Sequence, residues 1–246
     1  PQMVKRAACI ASGASKSTQG LAFDAVGRGA ITSDPDWQGG DYYDTGRSPS
    51  RGLAAARKIG HITYLSREIM ARKFGRERKV NSSVFQVESY LDYKGRKFTE
   101  RFDANSYLRI MEAMDDFDLV ERCGSLDKAL ERVEARVLVV ALSTDWLFPP
   151  ELSLELANAL LRAGKQVTYC LLDMPYGHDG FLVDTEQLSR VVRAFLPWIR
   201  KPENGNGSTR PRPWLAATDD GNKLRRKEFE MVLDMIGPGS RVLDLG

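Results

Sequence analysis

Two histidines, His61 and His178, occur in this chain of 246 residues. His178 lies in "DMPYGHDGFL", a polar stretch between a segment with strand character and one with helix character. A histidine on such a loop is a candidate general base, because imidazole exchanges a proton near neutral pH. Upstream, Asp145 lies in "STDWLFPP", just past the apolar run 137–142. A carboxylate bonded to one imidazole nitrogen fixes the tautomer and stabilises the imidazolium, which frees the other nitrogen to take a nucleophile's proton. Each residue also has a plainer reading. An aspartate between strand and helix commonly caps the helix, here one starting near Pro149, and a lone histidine is commonly structural.

The pair needs a scaffold that brings two loops together. "ARVLVVALS", from Ala135, is a continuous β-branched run, as expected of a strand buried on both faces. "PPELSLELANALLRAG" reads as a helix with Pro150 in its first turn and Gly164 at its C-cap. "KQVTYCLLDM" is a second buried strand and "TEQLSRVVRAFLPWIR" a closing helix. Strand, helix, strand, helix at this spacing predicts a parallel sheet. Ligands bind such sheets outside the carboxyl ends of the strands, where Asp145 and His178 would sit. "RAACIAS", residues 6–12, adds a short buried strand closed by Gly13.

An acid followed by a histidine, each on the loop after its strand, is the order of the α/β-hydrolase triad, whose serine is expected earlier on G-x-S-x-G. The sequence contains no G-x-S-x-G; "ASGAS", Ala11 to Ser15, lacks the glycine after the serine. In that architecture the nucleophile and its helix precede a strand such as 6–12. The chain is therefore expected to be part of a longer polypeptide, with the serine upstream of Pro1.

Between the first two strands the sequence is mainly helical. "STQGLAFDAVGRGAIT" has helical spacing, "SDPDWQGGDYYDTGRSPS" is a turn-rich loop, and "RGLAAARKIGHITYLSREIMARKFG" predicts one long helix capped by Ser48 or Ser50. "FQVESYLDYKGRKFTERF" is aromatic-rich and partly alternating, and "DANSYLRIMEAMDDFDL" is helical, with Leu108, Met111 and Met114 on its apolar positions. Arg28 and the basic run Arg72–Lys79 read as solvated charge, with a contact between that run and a coenzyme phosphate as the sharper alternative.

Composition narrows the function classes. A formal charge of +3 asks for neither nucleic acid nor an anionic membrane. No apolar run approaches the roughly 18 residues of a membrane helix, and a cytoplasmic protein is expected. Cys9, Cys123 and Cys170 are scattered, without metal-ligand spacing or a disulfide framework. Residues 201–213, "KPENGNGSTRPRP", read as a linker, and 214–246 as the start of another domain ending in "SRVLDLG".

Several long segments match one family in order. "FDAVGRGAITSDPDWQGGDYY", "GLAAARKIGHITYLS", "FQVESYLDYKGRKFTERFDANSYL", "LVVALSTDWLFPP" and "YGHDGFLVD" together resemble the homoserine O-acetyltransferases of the α/β-hydrolase superfamily, over about residues 1–199. The resemblance implies an α/β fold: the C-terminal part of an α/β-hydrolase domain, 1–200, with a helical lid at about 16–128. It implies ping-pong transfer of acetyl from acetyl-CoA, a co-substrate rather than a bound cofactor, to the homoserine hydroxyl in methionine biosynthesis. Succinyl transfer and esterase-like hydrolysis are the alternatives. By motif, Asp145 is the triad acid and His178 the base. Arg57 and Tyr64 contact substrate, and Asp179 receives its ammonium. An arginine fork suits a carboxylate and an aspartate suits an ammonium. Arg57 and Tyr64 are two turns apart on one helical face, and His61 on the same face either lines the site or has an orienting or packing role. The resemblance further implies a homodimer through the lid. "SRVLDLG" resembles the first motif of S-adenosylmethionine-dependent methyltransferases, so 214–246 is expected to open a Rossmann-like domain. S-adenosylmethionine would belong only to the complete form of that domain. A chain without the serine is expected to be inactive alone.

Overall fold

The computed structural model describes residues 4–196. The linker 201–213 and the methyltransferase-like stretch 214–246 lie outside the described residues, as does the end of the closing helix. Residues up to Val183 form one compact unit and those from Asp184 a second, so each is described by itself.

The first unit is built on a three-stranded parallel sheet, β1 (Arg6–Ile10), β2 (Arg136–Leu142) and β3 (Val167–Leu172), in the order β1-β2-β3. The apolar run at 137–142 takes the central place, where both faces are covered, and Val137 to Leu142 are all buried. Helix α8 (Pro150–Arg162) joins β2 to β3. Pro150 is in its first turn and Gly164, at φ +70°, follows its end, as the proline and glycine predict. Leu156, Ala157, Ala159 and Leu160 of α8 pack with Val137 and Val139 of β2 in one core cluster.

β1 ends earlier than the predicted 6–12. Ala11 takes the left-handed region at φ +49°, although its amide still reaches the Val140 carbonyl at 2.9 Å. The chain then leaves the sheet for a helical insertion: α1 (Thr18–Thr32), α2 (Ser50–Tyr64), α3 (Arg67–Phe74), α4 (Gln86–Thr99) and α5 (Ala104–Asp115). It returns through α6 (Leu119–Cys123) and α7 (Leu126–Leu130), whose Leu126 and Leu130 join the sheet core. Departing and returning segments are tied where Ser15 bridges Asp118 and the Leu119 amide donates to the Ala14 carbonyl at 3.1 Å.

Inside the insertion α2 is central. Ile31, Leu53, Ala56, Phe98 and Leu108, from four helices, form its core. Close approach to α1 requires Gly52, since a Cβ there would meet the Ala30 carbonyl oxygen at 2.4 Å.

Further sequence expectations change within the insertion. The long helix of 51–75 is two helices, broken at Leu65, which is extended at φ −106°, ψ 145°, and restarted by Ser66, whose hydroxyl accepts from the Ile69 amide at 3.1 Å. Neither Ser48 nor Ser50 caps α2; Pro49 is the N-cap, and Asp34 from the preceding turn accepts from the Gly52 amide at 2.8 Å. "FQVESYLDYKGRKFTERF" forms α4, because its apolar face meets α2 and overrides the β-type alternation. The charges of the run Arg72–Lys79 are mostly exposed as expected, but the run is partly the last turn of α3 and partly a turn folded on Phe85, with the Arg78 guanidinium 4.1 Å from that ring.

In the second unit, α10 (Thr185–Phe195) is started by Asp184, which accepts from the Gln187 amide at 3.2 Å. The short α9 (Gly180–Val183) closes the first unit.

Candidate active site

The loops after β2 and β3 are stapled by two hydroxyls. Thr144 donates to the Met174 carbonyl at 2.6 Å and accepts from the Gly177 amide at 2.9 Å. Ser143 donates to the Asp173 carboxylate at 3.0 Å and accepts from the Met174 amide at the same distance. These bonds replace strand pairing where the strands end, and so fix the spacing of the two loops above the sheet.

Across that fixed gap, His178 Nδ1 donates to Asp145 Oδ2 at 2.8 Å. The Asp145 side chain is fully buried and His178 is 18% exposed. Oδ1 of Asp145 accepts from the Leu147 and Phe148 amides at 3.0 and 2.9 Å. Both readings of Asp145 therefore hold in part. It organises its own loop, although Pro149 and not Asp145 caps α8, and it faces the histidine. A carboxylate can only accept, so the proton sits on Nδ1 and the Nε2 lone pair is left for chemistry. Phe148 and Phe181 stand 5.5 Å from the imidazole and give it an apolar wall.

The break between α2 and α3 brings the insertion to this pair. The Tyr64 carbonyl accepts from the Asp179 amide at 3.0 Å, and the Leu65 carbonyl accepts from the Trp146 indole at 3.0 Å. The Ser66 hydroxyl donates to the Pro175 carbonyl. An uninterrupted helix would have used those carbonyls internally. Gly177, at φ +74°, lets the histidine loop lie against this break, since a Cβ there would meet the Ser66 nitrogen at 2.5 Å. On the other side, Phe23 of α1 packs edge-on to Trp146 at 5.4 Å.

The residues singled out in the sequence thus converge. The Tyr64 ring is 6.3 Å from the His178 ring. Arg57 donates to the Tyr64 hydroxyl at 3.3 Å, and its guanidinium stacks 4.5 Å over Phe98. Asp179 is half-buried beside the histidine, its amide held by Tyr64. His61 is buried, with its Nδ1 3.4 Å from the Tyr90 hydroxyl and its ring 5.5 Å from Tyr64, which fits the packing role. Arg28 is not a solvated charge. It pairs with Asp115, which also takes Lys16 at 3.0 Å, and Lys16 bridges to Asp24. Burial is the largest influence on both carboxyls. It raises Asp24 above the usual carboxylate range, while hydrogen bonds from Lys16 and Arg28 overcome it at Asp115 and hold that carboxyl below. Sequence reasoning missed Ser143, Thr144, Trp146 and Phe98. The only local signal among them was hydroxyl residues at a strand end.

A parallel sheet with an acid–histidine pair on its C-terminal loops defines an α/β-hydrolase-like protein. Solved structures agree on the fold. Homoserine O-acetyltransferase from Bacillus anthracis superimposes with a TM-score of 0.73 over 83% of this chain and 56% of that one, at 24% identity. Esterase E22 does so with 0.68 over 77% and 53%, at 20% identity. No family model matches the chain. Sequence relatives are more specific. A homoserine O-acetyltransferase from Methanosalsum zhilinae is 50% identical over 203 residues, 80% of this chain and 41% of the relative. One from Methanosphaera stadtmanae is 45% identical over the whole chain and 51% of its own length. A homoserine O-succinyltransferase from Bordetella pertussis is 46% identical over 86% of this chain and 54% of the relative. These homologues, with the α/β-hydrolase neighbours, support the homoserine O-acyltransferase family for this chain. The chain spans about half the length of the curated relatives it matches.

Proposed function

We propose that the protein to which this chain belongs is a homoserine O-acetyltransferase working in methionine biosynthesis, with Asp145 as the acid and His178 as the base of a Ser-His-Asp triad. The observation that carries the reading is Arg57. It is a half-buried guanidinium against Phe98 and Tyr64, the latter's ring 6.3 Å from that of the histidine, and among the described residues no carboxylate pairs with it. A half-buried cation without an internal counter-ion is suited to an anionic ligand, and the acceptor's carboxylate supplies one. Asp179, next to the base, receives its ammonium. The triad's nucleophile would be a serine of the whole protein, and the relatives are about twice as long as this chain.

The reading implies the following proton path. The serine hydroxyl attacks the thioester carbonyl while His178 Nε2 takes its proton, and Asp145 stabilises the imidazolium. Collapse breaks the C–S bond and the proton passes to the departing thiolate, releasing coenzyme A. Homoserine then binds, its hydroxyl loses a proton to Nε2 as it attacks the acyl-serine, and collapse returns that proton to the serine. Transfer outcompetes hydrolysis because the α1–α5 insertion acts as a lid that excludes water and clamps both charges of the acceptor. We further propose that the enzyme is a cytoplasmic homodimer through the lid, and that residues 214–246 open a methyltransferase-like domain whose complete form would bind S-adenosylmethionine. Among the described residues no helix is long and apolar enough to cross a membrane.

The test is an assay of the complete polypeptide with L-homoserine and acetyl-CoA or succinyl-CoA, measuring thiol release and O-acylhomoserine together. Parallel double-reciprocal lines with acetyl-CoA support the reading. Preference for succinyl-CoA, as in the Bordetella pertussis relative's name, moves the donor assignment. Thiol release without O-acylhomoserine favours the esterase-like reading.

A further inference from the structure

α2 carries Arg57, Gly60 and Tyr64 at positions i, i+3 and i+7, a stripe along one helical face. A long side chain on a helix points back toward the N-terminus and lies over the residue four before it. For Tyr64 that residue is Gly60. The phenol takes this course: a Cβ on Gly60 would stand 3.0 Å from the Tyr64 hydroxyl oxygen, 3.3 Å from Cζ and 3.6 Å from Cε2. Folded back in this way, the hydroxyl accepts from Arg57 Nη1 at 3.3 Å. Neighbouring groups give the pair little room to shift. The buried His61 stands edge-on to the Tyr64 ring at 5.5 Å, and the Arg57 guanidinium is seated on Phe98 of α4 at 4.5 Å.

The backbone does not ask for a glycine there. Gly60 is inside α2 and its φ is outside the left-handed region, so helix formation alone would favour alanine. Helix packing does not account for it either. At Gly52 and Gly95 the nearest atom to an added Cβ is a backbone oxygen of another helix, that of Ala30 on α1 and of Ala54 on α2; at Gly60 the three nearest atoms all belong to Tyr64.

We infer that Gly60 is a positioning residue of the acceptor site: it is the empty place into which Tyr64 folds back, and so it keeps the phenol oxygen within reach of Arg57. A methyl at position 60 must push the phenol end off the helix by about 0.4 Å to reach ordinary contact near 3.4 Å. The Arg57 bond has no such slack. At 3.3 Å it is already long for an N–H···O bond, and a few tenths of an ångström more would end it. The guanidinium would keep its seat on Phe98 but lose the contact that sets its tilt. A guanidinium presents its donors in a planar fork, and the fork meets a carboxylate only at the right tilt. A neutral hydroxyl suits the task because it accepts one N–H and leaves the positive charge whole for the ligand.

This assignment rests on the transferase reading. The experiment is Gly60→Ala in the complete enzyme, beside Gly29→Ala on α1, where an added Cβ meets nothing within 4 Å. Both should keep or raise the urea midpoint, as alanine does inside a helix. Gly29→Ala should leave the kinetic constants at their wild-type values. Gly60→Ala should raise the homoserine KM by about tenfold, the loss of one hydrogen bond to a charged group, with kcat and the acetyl-CoA KM little moved. Selectivity for homoserine over 3-aminopropan-1-ol, which lacks the carboxylate, should fall by a similar factor. Tyr64→Phe removes the atom nearest to the added methyl, so Gly60→Ala should add little to its effect. An unchanged homoserine KM in Gly60→Ala overturns the assignment alone. So does an equal loss for both acceptors, or a full further loss on top of Tyr64→Phe, since either places the effect away from the Arg57–Tyr64 contact. A midpoint well below wild type makes the role merely structural and overturns it too. A wild type that acylates no homoserine with either donor overturns the transferase reading and this assignment with it.

Discussion

Gly177→Ala tests how the histidine loop is held. Gly177 sits at φ +74°, where an L side chain is strained by about 1–2 kcal/mol. The added methyl would also meet the Ser66 nitrogen at 2.5 Å, the Leu65 carbonyl carbon at 2.7 Å and the Tyr64 oxygen at 2.9 Å. All three are backbone atoms and cannot rotate away. To reach ordinary contact the two segments must separate by about 0.9 Å. That motion would stretch two bonds across the junction, Asp179 amide to Tyr64 carbonyl and Trp146 indole to Leu65 carbonyl, each 3.0 Å long. At the new separation neither remains a hydrogen bond, and each loss costs about 1 kcal/mol. The total is about 3–4 kcal/mol. Urea denaturation should show it as a large drop in midpoint at constant slope. In the complete enzyme, displacing His178 by close to 1 Å should lower kcat by about 100-fold. A variant with wild-type midpoint and wild-type kcat would refute the claim that this close approach positions the base.

Other substitutions separate the remaining roles. Asp145→Asn keeps the acceptor for the Leu147 and Phe148 amides but turns a donor toward His178. It should reverse the tautomer and lower kcat by about 10³–10⁴-fold with little loss of stability; near-normal turnover would remove Asp145 from the triad. Arg57→Ala should raise the homoserine KM by at least about tenfold, and Arg57→Lys should not restore it, because an ammonium lacks the planar fork that Phe98 and Tyr64 hold. Asp103 caps α5, accepting from the Ser106 amide at 2.7 Å and from the Tyr42 and Tyr43 hydroxyls. Burial pushes its carboxyl up, but these donors win and hold it below the usual range. Its folded value is depressed, so its stabilisation is present above about pH 4 and is lost as pH falls through the folded value. Asp103→Ala should cost about 1 kcal/mol at neutral pH, and the gap to wild type should narrow in acid, read from urea midpoints at successive pH values.

The elements carrying the acid and histidine were legible because their signals are local. A β-branched run such as 137–142 can only be a covered strand, and the polar loops after it and after β3 are where a parallel sheet exposes reactive groups. The helix break at Leu65 was not legible. Residues 51–75 keep helical spacing throughout, and the conformation at Leu65 is set by Asp179 and Trp146, more than 80 residues away in sequence. Arg28 failed for the same reason, since Lys16 and Asp115 lie on other segments.

By itself, then, the sequence determined the parallel sheet, most of the helices and the pair Asp145 and His178, because periodicity, turn chemistry and side-chain type act over a few residues, while Arg57 stood out only through the family resemblance. Only the tertiary structure decided that the Tyr64 ring would stand 6.3 Å from the histidine and that Phe98 would lie beneath the Arg57 guanidinium. Those placements depend on side chains and backbone groups from separate helices competing for the same space and the same hydrogen-bond partners, which no single stretch of chain records.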